Sequence, residues 1–177
     1  MKRIPEQIDF RPELPLIIGN KDYQKFKMLL RGIDCLLIES GIEEIFVETQ
    51  LLKRHFRSVE NQIRFQKKLR VALRCNIGRW LTEKEYRKFS RRLADSPLLQ
   101  WFCGINQIDQ VEVPSKSELC RFDKMASAKE VKTLMDELNQ YALNIKNPLK
   151  LKTPLNLEAC FSDTTCKRAY SSKSLER

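Results

Sequence analysis

The sequence predicts a mainly α-helical protein with an extended lead-in and one β-strand near its C-terminus. Apolar residues recur at intervals of three and four over much of residues 21–147, which is helical spacing. Prolines at positions 5, 12 and 15 oppose helix formation in residues 1–20. From Leu155 to Phe161 apolar and polar residues alternate, which is strand periodicity.

Two long segments open the helical region. The apolar positions from Tyr23 to Ile38 predict a first helix, with Gly41 as its C-terminal stop. The segment from Glu43 to about Leu73 predicts a single long helix, which Gly78 is expected to break. Its apolar stripe is expected to face the core and its basic stripe to face solvent. The apolar stripe comprises Leu52, Phe56, Val59 and Ile63, and the basic stripe comprises Lys53, Arg54, Arg57, Arg64 and Lys68.

Short helices with clear start signals follow. Three Ser or Thr residues have a Glu three positions later, which is the capping box that satisfies free amide donors at a helix N-terminus. These pairs are Thr82 with Glu85, Ser115 with Glu118 and Ser127 with Glu130. Ser96 followed by Pro97 marks a fourth start. We predict helices at about 83–94, 97–103, 116–125 and 128–144.

The composition excludes several classes of protein. Of the 177 residues, 42% are hydrophobic and 32% are charged, as in globular chains. The apolar runs are far too short to span a bilayer, and no apolar signal core follows Lys2 and Arg3. The six cysteines form no CxxC pair and His55 is the one histidine, so neither a zinc site nor a disulfide framework is expected. We therefore expect a cytoplasmic protein with reduced thiols and no membrane segment.

The positive charge is concentrated in one stretch. The net charge of the chain is +10, and residues 53–92 alone carry 14 basic and 3 acidic side chains, or +11. The flanking stretches carry −2 (residues 1–52) and +1 (residues 93–177). Such a field attracts polyanions, of which nucleic acid is the commonest inside cells, so the five residues of the basic stripe are candidate DNA contacts. The alternative is a solvated face with acidic partners elsewhere in the fold.

The short helices are predicted to form a helix-turn-helix-like domain, in which the later helix enters the DNA major groove. The candidate recognition helix follows Pro114, and its polar residues Ser115, Lys116, Ser117 and Arg121 are candidate DNA contacts. Hydroxyls and amide donors at a helix N-terminus suit phosphates, and Arg121 can reach a guanine edge. The alternative is a small helix of an all-helical core that contacts no DNA.

The same region resembles a known family. The resemblance covers about 60 residues, 64–126, in which matched positions run in order: Leu81, Glu85, Leu93, Asp95-Ser96, Trp101-Phe102, Gly104-Ile105, Pro114-Ser115, Ser117, Leu119 and Arg121-Phe122. They resemble the helical N-terminal domain of bacterial insertion-sequence transposases of the DDE type. Residues 156–165, NLEACFSDTT, are similar to the first strand of that family's ribonuclease H-like catalytic domain.

The resemblance implies DNA transposition and recognition of insertion-sequence ends. It implies that Asp163 matches the first of three acidic residues that hold Mg²⁺ in the catalytic domain, and that residues 148–165 are a linker and first strand. No second Asp or Glu of that triad follows in the polar segment 166–177, which is expected to be disordered. We therefore expect a truncated transposase whose chain by itself holds no cofactor and lacks catalytic activity.

Two other functions remain open from the sequence. The first is a stand-alone DNA-binding regulator that inhibits transposition, acting as a homodimer or with the full-length transposase. The second is a helical protein–protein interaction module whose basic face meets an acidic partner.

With Mg²⁺ or Mn²⁺, the purified chain is expected neither to nick nor to join DNA ends, because two of the three carboxylates are missing from it. Electrophoresis of supercoiled plasmid after incubation measures both reactions. Metal-dependent cleavage that the Asp163→Ala substitution abolishes contradicts this expectation.

Overall fold

The computed structural model describes Leu14, residues 17–106, residues 110–126 and seven helical residues beyond them. Those seven are Glu130, Thr133, Leu134, Asp136, Glu137, Gln140 and Tyr141. In this part the chain forms six continuous helices and no strand, so the predicted mainly α class is confirmed. The helices are α1 (Lys21–Glu39), α2 (Ile42–Leu51), α3 (Val59–Leu81), α4 (Tyr86–Asp95), α5 (Pro97–Cys103) and α6 (Lys116–Asp123). None of the helices described is long and apolar enough to span a bilayer.

Several predictions fall outside the described residues. These are most of the extended lead-in over residues 1–20, the linker and strand of residues 148–165 with Asp163, the 166–177 tail and the cap at Ser127. Residues 1–138 form one compact unit and residues 139–177 form a second, and all six helices belong to the first. The structure therefore defines the helical domain alone.

The single helix predicted from Glu43 to Leu73 is wrong. Helix α2 ends at Leu51 and α3 begins at Val59, where the Ser58 side chain accepts the Asn61 amide hydrogen. Residues 52–58 contain neither glycine nor proline, so the local signal for the break is the N-cap at Ser58. The Phe56 ring instead packs against Phe65 of α3, with ring centroids 5.5 Å apart.

The break also moves the predicted core stripe. Leu52 is 83% exposed and Val59 62% exposed, while Phe56 and Ile63 are half-buried. The core is formed instead by other apolar residues of the described helices. Its largest members are Leu30, Leu69, Phe89, Leu93, Leu98, Leu99, Phe102 and Leu119.

Short local signals place the other turns. Gly41 adopts a left-handed φ of 66° between α1 and α2, as its stop signal predicted. Ser96 accepts the Leu99 amide hydrogen and caps α5. The buried side chain of Gln100 then donates to the carbonyls of Leu93 and Ala94 at the end of α4, at 2.8 and 2.9 Å. Helices α4 and α5 are therefore joined at a tight corner.

The end of α3 differs from both predictions made for it. Gly78 does not break the helix; a Cβ there would lie 3.2 Å from Cζ of Phe89, so glycine permits the close approach of α4. Thr82 does not cap the next helix, because its hydroxyl donates to the Gly78 carbonyl at 2.8 Å. Helix α4 begins at Tyr86 without a side-chain cap. Trp80, close to the end of α3, is 50% exposed.

A buried arginine connects four helices. Arg74 of α3 is 2% exposed and donates through Nε and Nη2 to the two carboxylate oxygens of Glu43 in α2, both at 2.7 Å. Its Nη1 donates to Asp34 of α1 at 2.5 Å and to the Phe102 carbonyl of α5 at 3.1 Å. Burial lowers the pKa of Arg74, but hydrogen bonds and charges from Glu43 and Asp34 outweigh it and hold the pKa above its ordinary value.

Replacing Arg74 with Met is expected to lower the free energy of unfolding by about 3–5 kcal/mol, because it leaves two carboxylates facing each other away from water. The matched control is Arg70→Met, which removes an exposed pair with Glu44 and is expected to cost at most about 1 kcal/mol. Urea unfolding measures both. A triple variant that also carries Asp34→Asn and Glu43→Gln should recover part of the loss; equal losses for Arg74→Met and Arg70→Met would show that Arg74 is not structural.

Candidate nucleic-acid interface

The break between α2 and α3 divides the predicted basic stripe into two groups. Lys53, Arg54 and Arg57 lie in the connection rather than on a helix. Lys53 forms an ion pair with Glu130, which also accepts a hydrogen bond from Gln50 at 2.8 Å. The Arg54 guanidinium lies 4.4 Å from the centroid of the Phe65 ring. Two of the three cations in this group therefore already have partners within the protein.

The second group lies on α3 beside α6. Arg64, Lys67 and Lys68 are exposed, and in the described part of the chain none of them forms an ion pair. They line one wall of a groove of about 320 Å³, whose other wall includes Pro114 and the acidic residues Glu112 and Glu118. The Lys68 ammonium lies 5.9 Å from the centroid of the Phe122 ring of α6. These three cations are therefore placed at the junction of the two helices.

Helix α6 begins with the capping box that the sequence predicted. The Ser115 oxygen accepts the Glu118 amide hydrogen at 3.3 Å, and the Glu118 carboxylate accepts the Ser115 amide and hydroxyl hydrogens at 3.0 and 3.1 Å. A carboxylate thus occupies the donors that a phosphate was predicted to use. The geometry gives no support to the phosphate contact at Ser115.

The Glu118 carboxylate is also influenced by cations of both helices. The hydrogen bond from the Ser115 amide lowers the pKa of Glu118 most, and the charges of Lys68 and Arg121 lower it further, although partial burial raises it. One cation is on α3 and the other on α6, so both act on the same carboxylate. The fold therefore brings together residues that the sequence placed in two separate candidate sites.

Three polar contacts fix α6 against α3 and α4. Asn76 of α3 donates to the Phe122 carbonyl at 3.1 Å. Arg79 forms an ion pair with Asp123 at 3.1 Å, and the Tyr86 hydroxyl donates to the same carboxylate at 2.6 Å. That hydrogen bond raises the pKa of Tyr86. With Leu119 and Phe122 buried, Lys116, Ser117 and Arg121 are left on the exposed side of α6.

Acidic residues from other helices neutralise part of the basic stretch. Asp34, Glu43, Glu44, Asp123 and Glu130 each form an ion pair with a cation of residues 53–92. Residues 53–92 alone carry +11, and together with these five acidic partners they carry a net charge of +6. Exposed cations without an ion pair among the described residues remain at Arg57 and Lys84, at Arg64, Lys67 and Lys68 of α3, and on α4. Lys67 is exposed as well, but it was not among the residues that the sequence predicted for the site. The signal for it is its spacing of three positions from Arg64, which places both cations on one face of α3.

The helix-turn-helix part of the fold prediction gains no support. That motif joins its helices by a turn of three or four residues. Here residues 104–115 separate α5 from α6, and Asn106 and Val111 form an isolated antiparallel bridge within them.

Among the described residues there is no cluster of acidic, His or Cys side chains that could hold a metal ion. Among the described cysteines, Cys35, Cys75, Cys103 and Cys120 are free thiols.

Comparison of the chain with protein-family models, with curated proteins and with solved structures finds no match.

Replacing Ser115 with Ala is expected to lower the free energy of unfolding by about 1 kcal/mol, because α6 loses its N-terminal cap. The pH dependence should change as well. A carboxylate whose pKa is lowered by folding contributes stability that is present above its ordinary value of 4.5 and is lost as the pH falls through its folded value. Thermal unfolding at pH 7 and at pH 3 measures both effects. The difference between wild type and variant should shrink at pH 3, and a difference that grows there would contradict this role of Glu118.

Proposed function

We propose that the helical domain binds DNA through the surface formed by α3 and α6. The single observation that supports this most is the group of exposed cations Arg64, Lys67 and Lys68, none of which forms an ion pair among the described residues. Exposed lysine and arginine side chains that are not held in ion pairs can contact phosphates and release condensed counterions, which supplies a large share of the affinity for DNA. The polar residues of α6 stand beside them.

The division of roles follows from the two helices. The α3 cations contact phosphates and position the domain. Lys116, Ser117 and Arg121 project from α6, where a bidentate arginine can select guanine. This arrangement needs no turn of fixed length, so it is independent of the helix-turn-helix prediction.

The kind of DNA is proposed from the sequence resemblance alone. The motifs between Leu81 and Phe122 and the NLEACFSDTT segment resemble DDE-type transposases, so insertion-sequence ends are the proposed target. Within this proposal Asp163 corresponds to the first Mg²⁺ ligand of the family. A regulator of transposition would use the same DNA surface.

One observation favours a protein partner as a second candidate function. The α2–α3 connection exposes Leu52 and Val59 beside Lys53, Arg54 and Arg57. Apolar side chains surrounded by cations are typical of surfaces that bind acidic proteins. This surface lies on a different segment from the α3–α6 cations, so the two functions can be separated by mutation.

Changing Arg64, Lys67 and Lys68 together to Gln is expected to weaken binding to every DNA sequence. On logarithmic axes the dependence of affinity on salt should flatten by about 0.9 for each phosphate that the variant no longer neutralises. The matched control changes three exposed cations of α1, Lys21, Lys25 and Arg31, and removes the same charge. Fluorescence anisotropy with a labelled duplex over a range of salt concentrations measures both slopes. Equal slopes for the two variants would refute the proposed surface.

A further inference from the structure

Helix α4 carries four exposed cations that are not part of the proposed DNA-binding surface of α3 and α6. Arg87, Lys88, Arg91 and Arg92 are all exposed, while Phe89 and Leu93 on the opposite side are fully buried. In the described part of the chain only Lys88 has an ion pair, with the exposed Glu85 at 3.8 Å. The helix is therefore a strongly charged ridge on one side of the domain.

The contacts of α4 show which of these cations are near α6. The Tyr86 hydroxyl contacts Asp123 at the C-terminal end of α6, and the Ser90 hydroxyl donates at 2.7 Å to the Pro114 carbonyl, just before its N-terminal end. Tyr86 and Ser90 are one turn apart, so they define the edge of α4 that follows α6 along its length.

The two pairs of cations stand at different angles from that edge. Arg87 and Arg91 each follow an edge residue by one position, or about 100° around the helix, and project into solvent away from the buried Phe89 and Leu93. Lys88 and Arg92 follow by two positions, about 200°, and lie nearly opposite α6. The first pair is therefore the nearer of the two to α6.

Helix α6 therefore lies between two rows of cations. Arg64 and Lys68 stand on the α3 side, beside Glu118, and Arg87 and Arg91 stand on the α4 side. The exposed residues of α6 itself occupy the middle. In each row the two cations are one helical turn apart, and the Cβ atoms of such neighbours on a helix face are roughly 6 Å apart.

We propose that Arg87 and Arg91 form a second phosphate-binding row and that the ligand is double-stranded DNA, with α6 placed between its two backbones. A major groove about 12 Å wide admits one α-helix and is bordered by a phosphate strand on each side. One row alone would serve a single strand equally well, whereas two rows separated by a helix match the two borders of a groove. This inference rests on the proposed DNA-binding function and specifies its ligand.

The experiment compares two double variants of α4 that remove the same charge. Arg87→Gln with Arg91→Gln alters the row beside α6, and Lys88→Gln with Arg92→Gln alters the row opposite it. Each variant of the full chain is titrated by fluorescence anisotropy against a labelled duplex and against one of its strands, over a range of salt concentrations. All four side chains are exposed, and equal thermal unfolding midpoints verify that both variants are folded.

For the duplex, the variant at Arg87 and Arg91 should show a salt slope lower by about 1.8, from two contacts of about 0.9 each, while the Lys88 and Arg92 variant keeps the wild-type slope. Affinity for the single strand should be much less affected by the same change.

Equal duplex slopes for the two variants overturn the second row, even if changing Arg64, Lys67 and Lys68 still weakens binding. Equal effects on single strand and duplex overturn the two-backbone arrangement. Absence of duplex binding by the wild-type chain contradicts both this inference and the proposed function.

Discussion

The buried charge of Arg74 is the constraint on which the arrangement of the helices depends. A guanidinium removed from water must have its donors satisfied by groups of the protein, and here the partners come from three other helices. Asp34, Glu43 and the Phe102 carbonyl can reach it together only if α1, α2 and α5 converge on the middle of α3. Apolar packing alone would tolerate several such arrangements, whereas a planar fork with fixed partners permits few.

This constraint also determines which cations remain available at the surface. The C-terminal half of α3 is neutralised by the core pair at Arg74 and by the pair of Arg79 with Asp123. The N-terminal half keeps Arg64, Lys67 and Lys68 in solvent. Helix α3 thus has a C-terminal half whose cations Arg74 and Arg79 are paired within the protein, and an N-terminal half whose cations are exposed to solvent. The same contacts at Asp123 hold α6 in place between α3 and α4.

Local signals in the sequence predicted the turns well, because caps depend on a few adjacent residues. Gly41, Ser96 and Ser115 each act as expected. The break before Val59 was missed because residues 52–58 contain neither glycine nor proline, although Ser58 caps α3 there and Phe56 packs against Phe65. Nor did charge counting reveal that Arg74 is buried, although an arginine within the apolar run VALRC is a signal for it. The partners of a cation are set by tertiary contacts, so the candidate site could be predicted as a region but not residue by residue.

The most direct test of the central claim, that one surface of α3, α6 and α4 contacts DNA, is an NMR titration of the labelled chain with duplex DNA. The amide resonances that move most should belong to residues 64–68, 116–121 and 87–91. Those of α1 and α2 should move least, because neither helix contributes a residue to the groove that Arg64, Lys67 and Lys68 line. The largest changes falling on α1, on α2 or on residues 52–58 would contradict this surface.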